Sequence, residues 1–274
     1  MSYIPLIARV DSLPPLPESI IEIEKLFAMG DPDIDKLVKL IESDPLLTTD
    51  ILSKANAPYY GFSRTIISVL QAVTLLGAPQ IRALVLASSI QRCFDVDLTP
   101  YNTSTSMFSK ISTMQSELSF QWYMGVNIDV AREITPVAFL LETGKILIAK
   151  DIIEREKTAQ FQQDLETFHD ISYVENLHTM MTTAQINALI FKHLHLNETF
   201  YETMQYLDND KEVPTAYKDE VFALRVIHKA INFQEQLTEN SLQNALELLE
   251  ENKFNTAPFL RAAKRIATKY LQDA

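Results

Sequence analysis

The residues able to bind a metal or attack a substrate are few in this chain, and their spacing suits neither task. The five histidines are His169, His178, His193, His195 and His228, so none lies upstream of His169. His193 and His195 are two apart and point away from each other on a helix. A helical zinc pair needs a spacing of about four, as in H-E-x-x-H. Surface or satisfied core histidines are therefore the plainer reading. Cys93 is the only cysteine, so it forms no intrachain disulfide and no thiolate zinc site by itself, and a small buried apolar role suits it. Nucleophile and phosphate motifs are missing: there is no G-x-S-x-G and no G-x-x-x-x-G-K-[ST]. Thr143-Gly144-Lys145 lacks the upstream glycine of a phosphate loop, which leaves Gly144 as a turn or close-packing residue. Glu142 is one carboxylate beside a neutral threonine, and one carboxylate holds a hard cation only with help. The acidic runs at 151–156 and 164–170 suit solvated faces, and Arg82 and Arg92 suit solvated or ion-paired positions. The adjacent pair Met180-Met181 suits core packing.

The elements that must position these residues are helices. Only five glycines occur in 274 residues, and no long stretch alternates apolar and polar side chains. Pro14, Pro15 and Pro17 make an extended lead-in, because each ring fixes φ and disfavours helix just before it. A helix is predicted over 18–29 with Ile20, Ile23 and Phe27 on its apolar stripe. Asp31-Pro32 and Asp44-Pro45 each place an N-cap before a proline at the first helical position. The first predicts a helix with Ile34, Leu37, Val38 and Ile41 inward; the second, one with Leu47, Ile51 and Ala55 inward. Asn56 would bond backbone at the end of that helix. Ser68 with Gln71 forms a capping-box pattern for a short helix ending at Gly77, and Pro79 opens a helix whose middle, 83–89, is apolar or small enough to be buried on most sides. Residues 95–106 are polar with Pro100, and predict a linker between two helical subdomains. Helical patterns then run from 106 to about 206, and 207–214 (LDNDKEVP) breaks them. Three more follow, marked by Val221, Leu224 and Ile227, by Leu242, Ala245, Leu246 and Leu249, and by Leu260, Ala263, Ile266, Ala267 and Tyr270.

Composition narrows the partners. Hydrophobic residues make up 47% of the chain and the formal net charge is −12. An acidic surface repels phosphate backbones and anionic headgroups, which argues against nucleic-acid and membrane partners. No segment reaches the roughly 18 consecutive apolar residues of a membrane span, and residues 1–17 lack the cationic start and apolar run of a signal peptide. With a single cysteine, this predicts a cytoplasmic protein.

Four ordered segments carry a family resemblance: LPPLP at 13–17, ESDPLL at 42–47 around Asp44 and Pro45, LSKANAPYYG at 52–61 around Asn56, and SVLQAVTLLG at 68–77 ending on Gly77. In that order and spacing the chain resembles the HDOD domain family over 13–210, with helical subdomains at about 13–95 and 106–210. The segment 215–274 stands outside the resemblance as a C-terminal helical extension. The resemblance implies an all-α fold of two packed helical subdomains, the second similar to the HD superfamily of metal-dependent phosphohydrolases. In that superfamily a His-Asp pair on a helix binds metal that activates water. The segment AFLLETGK at 138–145 resembles the one in which the pair precedes Gly-Lys, and here Glu142 and Thr143 stand at the pair. Other histidine positions would fall near Ile111, Thr183, and Tyr206 with Leu207, and none holds histidine.

The resemblance thus implies no metal, no cofactor and no catalytic residue, and a non-catalytic module of bacterial signal transduction acting on a protein partner, through a groove between the subdomains. Two alternatives are a residual metal-dependent phosphohydrolase drawing on Glu142 and Asp151, and a nucleotide-sensing domain with its ligand in the cavity left by lost metals. The C-terminal helices, 217–273, would cover an apolar face or form a homodimer interface; periodicity serves both equally.

Overall fold

The caps and breakers of the sequence set most of the helix boundaries. In the computed structural model, which describes residues 6–60, 62–92, 96–209 and 211–271, sixteen α-helices carry the chain and no strand forms beyond one isolated bridge, Ile231 with Gln236. The fold is all-α. Cys93 lies outside the described residues. None of the described helices is long and apolar enough to cross a membrane.

After α1 (Leu6–Asp11), the proline lead-in delivers α2 (Glu18–Ala28), which buries Ile20, Ile23 and Leu26. The start of α3 (Ile34–Glu42) departs from the Asp31-Pro32 expectation. Asp33 is the N-cap, accepting from the Lys36 backbone N–H at 3.2 Å, and the helix begins past the proline. Ile34, expected inward, is 37% exposed as a result. Asp44 does cap α4 (Pro45–Ala55), accepting from the Leu47 N–H at 3.0 Å. Asn56 closes that helix: its amide donates to the carbonyls of Leu52 and Ile66, and its oxygen accepts from the Ile66 N–H, each at 2.8 Å. Ser68 caps α5 (Val69–Leu76), while Gln71 bonds the Ile67 backbone, one residue before the expected capping-box partner. Gly77 then takes φ +83°, where a Cβ is strained, and turns the chain into α6 (Ala78–Gln91). Every residue from 81 to 90 is buried.

The second half packs around α7 (Thr105–Tyr123) and α8 (Ile128–Phe139). α8 runs through Pro136 rather than ending before it. A proline inside a helix forfeits its own N–H bond; nearby, the Thr135 carbonyl accepts from the buried Ser116 hydroxyl at 2.9 Å. Next come α9 (Gly144–Glu154), α10 (Thr158–Phe168), α11 (Ile171–Thr179), α12 (Thr183–His193) and α13 (Glu198–Gln205). The C-terminal helices are α14 (Lys218–Ala230), α15 (Glu239–Glu251) and α16 (Thr256–Leu271). They fold back on their own chain: α14 packs on α7 and α8, and α16 packs on α7, with Phe259 edge-on to Trp122 at 5.2 Å. Leu260, expected inward, is 42% exposed. The residues between α6 and α7 are more than a polar spacer, since Leu98, Pro100 and Tyr101 are buried.

Candidate functional site

The site begins at the turn between α8 and α9. Glu142 is fully buried there. Gln115 of α7 donates its amide to Glu142 Oε1 at 2.7 Å and to the Ile231 carbonyl at 2.9 Å. His228 Nε2, from α14, stands 3.5 Å from the same carboxylate oxygen. The other oxygen, Oε2, meets the ammonium of Lys145 at 2.9 Å, one helical turn on. Thr143 is buried at the N-terminus of α9 but caps it with no side-chain bond.

Lys145 is the centre of the arrangement. Its Nζ reaches Glu142, Glu175 Oε1 at 3.2 Å and Thr183 Oγ1 at 3.2 Å. It lies over the rings of Tyr101 and Phe233, 5.6 and 5.2 Å from their centroids, a favourable place for a cation. Glu175 is itself fully satisfied: it accepts from the Thr183 N–H and hydroxyl at 2.6 and 2.7 Å and from the Tyr101 hydroxyl at 2.9 Å. One ammonium therefore bridges two buried carboxylates drawn from α9's entry and α11.

Burial alone would raise the Glu142 carboxyl, but the Lys145 ammonium, His228 and Gln115 outweigh it and hold the group below the ordinary carboxylate value. Burial alone would lower the Lys145 ammonium, and the two carboxylates outweigh that and raise it. Burial, with Glu175 beside it, pushes the Tyr101 phenol well above its usual range, so Tyr101 is a neutral donor. The Glu142 carboxylate and the Lys145 ammonium both stay charged at neutral pH.

Gly144 brings α9 against α12. Its N–H donates to Asn187 Oδ1 at 2.7 Å, and the Asn187 amide returns to the Leu141 carbonyl at 2.6 Å. A Cβ on Gly144 would stand 2.6 Å from the Thr183 carbonyl oxygen, so only glycine allows this approach. The other residues that the sequence singles out lie elsewhere. Asp44, Asn56 and Gly77 serve helix ends among α4, α5 and α6. Asp151 is fully buried rather than solvated, and pairs with Arg155 at 2.5 Å and Arg9 at 4.0 Å. His178 pairs with Asp164 at 2.6 Å, and Met180, expected in the core, is 85% exposed. Nothing local in the sequence groups Lys145, Glu175, Tyr101, Gln115 and His228, because their contacts join residues up to 116 positions apart.

This donor set does not fit the divalent metal of the HD superfamily. Glu142 and Thr143, which the resemblance sets at the His-Asp pair, offer one carboxylate and a neutral hydroxyl, Ile111 is apolar core, and an ammonium occupies the space between Glu142 and Glu175. Among the described residues no group of three or more His, Cys, Asp or Glu side chains is placed to hold a metal. The two rings over Lys145, Tyr101 and Phe233, also line a cleft of about 330 Å³ with Asn102, Leu165 and His169.

Comparison with known proteins adds a family model described as HDOD domain, which matches residues 13–209. A curated relative, an uncharacterized protein of Treponema pallidum, is 22% identical over 233 residues, and the chain spans 43% of its length. A virulence factor from Campylobacter jejuni is similar in structure at TM-score 0.60 and 25% identity, over 97% of this chain and 96% of that one. A putative phosphohydrolase from Shewanella amazonensis matches at TM-score 0.69 and 17% identity, over 96% and 93%. A putative signal transduction protein from Marinobacter aquaeolei matches at TM-score 0.69 and 17% identity, over 98% of this chain and 60% of that one. These last two share the fold, which extends through α14–α16.

Proposed function

This chain belongs to the HDOD domain family, and on that premise we propose that it is a non-catalytic signalling module that works by binding a protein partner. The observation that carries the reading is Lys145. Its ammonium bridges Glu142, the one carboxylate that the resemblance sets at the His-Asp position, to Glu175 of α11, and it is held by a short covalent tether and three polar contacts. Hydrolysis by an HD-type site needs a metal with an open position that lowers the pKa of bound water. An ammonium offers charge and hydrogen bonds but no coordination site, and its raised pKa keeps it from acting as a base. The buried cluster is then a structural knot that fixes α7, α9, α11, α12 and α14 relative to one another. The similarity to a putative signal transduction protein supports the signalling half of the reading.

Two arms test it. The pure chain is assayed on bis(p-nitrophenyl) phosphate and on cyclic dinucleotides with added Mn²⁺, Fe²⁺ or Mg²⁺. No turnover above a Glu142→Ala control is expected, and turnover lost in that control would overturn the reading. Photo-crosslinking from surface positions in the source cell is expected to trap a discrete protein partner; none across growth conditions would count against partner binding.

A further inference from the structure

A cleft lies away from the Glu142 cluster, between the N-terminal lead-in, α2 and the turn from α12 to α13. Its volume is about 690 Å³, inside the range that small-molecule sites occupy. We propose that it binds an amphipathic organic anion, with an apolar body in the cleft and an acid group at the rim. This inference is independent of the signalling reading above.

The walls are apolar: Leu13, Leu16, Ile21, Leu194 and Leu196 face the space. They are also preformed. His193 Nε2 donates to the Leu13 carbonyl at 3.0 Å, which ties the lead-in to the end of α12. Arg82, only 4% exposed, is locked by a fork to Glu24 at 3.0 and 2.7 Å and lies over the rings of Phe27 and Phe200, each 5.1 Å away. A ligand entering such a cleft pays little to order it.

Charge selects the sign of the ligand. The whole chain carries 36 acidic against 24 basic residues, whereas the lining of this cleft holds Glu24 against Lys25 and Arg82. Glu24 is the one carboxylate in the lining, and Arg82 neutralises it. What remains in the lining is the Lys25 ammonium, which Glu22 and Glu18 face from its own helix, with the polar side chains of His193, His195 and Asn197 beside it. Lys25 bridges to Glu22 at 2.8 Å on open surface, a contact of little worth that a ligand carboxylate can replace. A cationic amphiphile would meet the same apolar walls but the wrong rim.

The test uses the full chain and 1-anilinonaphthalene-8-sulfonate fluorescence, with decanoate, decyltrimethylammonium and decanol as competitors. Saturable binding of one dye per chain is expected, with displacement by decanoate well ahead of decyltrimethylammonium. Ala28 lines the cleft and is exposed, so Ala28→Trp fills the space without disturbing the core. That variant should bind at least about tenfold more weakly, and Ile21→Trp serves the same purpose if its melting curve is the closer to wild type. Lys25→Glu should weaken decanoate by about threefold or more and leave decanol unchanged. No saturable binding, equal displacement by anion and cation, or full affinity in both folded tryptophan variants would overturn the proposal.

Discussion

Lys145 is the residue on which the chemistry turns. Removing one partner of a buried ion pair leaves an uncompensated charge, which typically costs roughly 3–5 kcal/mol. Lys145→Met should therefore lower the urea midpoint sharply, because Glu142 and Glu175 are both fully buried. A midpoint within error of wild type would show the triad to be unimportant for stability. The Glu142 carboxyl also gives the protein a defined acid limb. Its folded pKa is depressed, so its contribution is fully present above the unfolded value of about 4.3 and is lost as the pH falls through the lower folded value. Glu142→Gln cannot titrate and should flatten the fall in urea midpoint below that pH, though its stability at neutral pH is lower than wild type. An unchanged acid limb would assign the titration to other groups.

Among the elements, α9 and α12 approach closely, and glycine is the condition of that approach. Gly144→Ala would drive a Cβ against the Thr183 carbonyl and should cost about 1–3 kcal/mol as overpacking. Gly125→Ala, with nothing within 4 Å of its Cβ, should change stability by no more than about 0.5 kcal/mol in thermal melts. Equal effects at the two sites would remove the case for close approach. Helix ends were legible in the sequence where one local group sets them, as with Asp44 over the Leu47 N–H and Asn56 around Ile66. Asp31 and Asp33 flank the same proline, and it is Asp33 whose side chain meets a helix N–H, that of Lys36. The family resemblance sets Glu142 and Thr143 against a His-Asp pair. The ion pairs of Lys145 were not legible, because periodicity reports which face is buried and says nothing of which distant carboxylate that face meets. Asp151 was misplaced for the same reason: its arginine partners lie on other turns and another helix.

At the scale of the molecule, the C-terminal helices complete the site rather than follow it. Ile231 supplies the carbonyl for Gln115, His228 faces Glu142, and Phe233 lies over Lys145. Trp122, the chain's only tryptophan, is 1% exposed against Phe259 of α16. Its emission should be blue-shifted in the full chain and move to the red, with a lower melting temperature, when the chain is cut after Pro214. A truncated chain with unchanged emission and melting would make α14–α16 an independent appendage.

The claim that a tethered ammonium stands where a metal would be held is tested most directly by metal stoichiometry. The full chain is incubated with excess Mn²⁺, Fe²⁺ or Zn²⁺, desalted, and measured by elemental mass spectrometry beside Glu142→Ala. The account predicts far less than one metal per chain and no difference between the two proteins. One tightly held metal per chain, lost in Glu142→Ala, would contradict it.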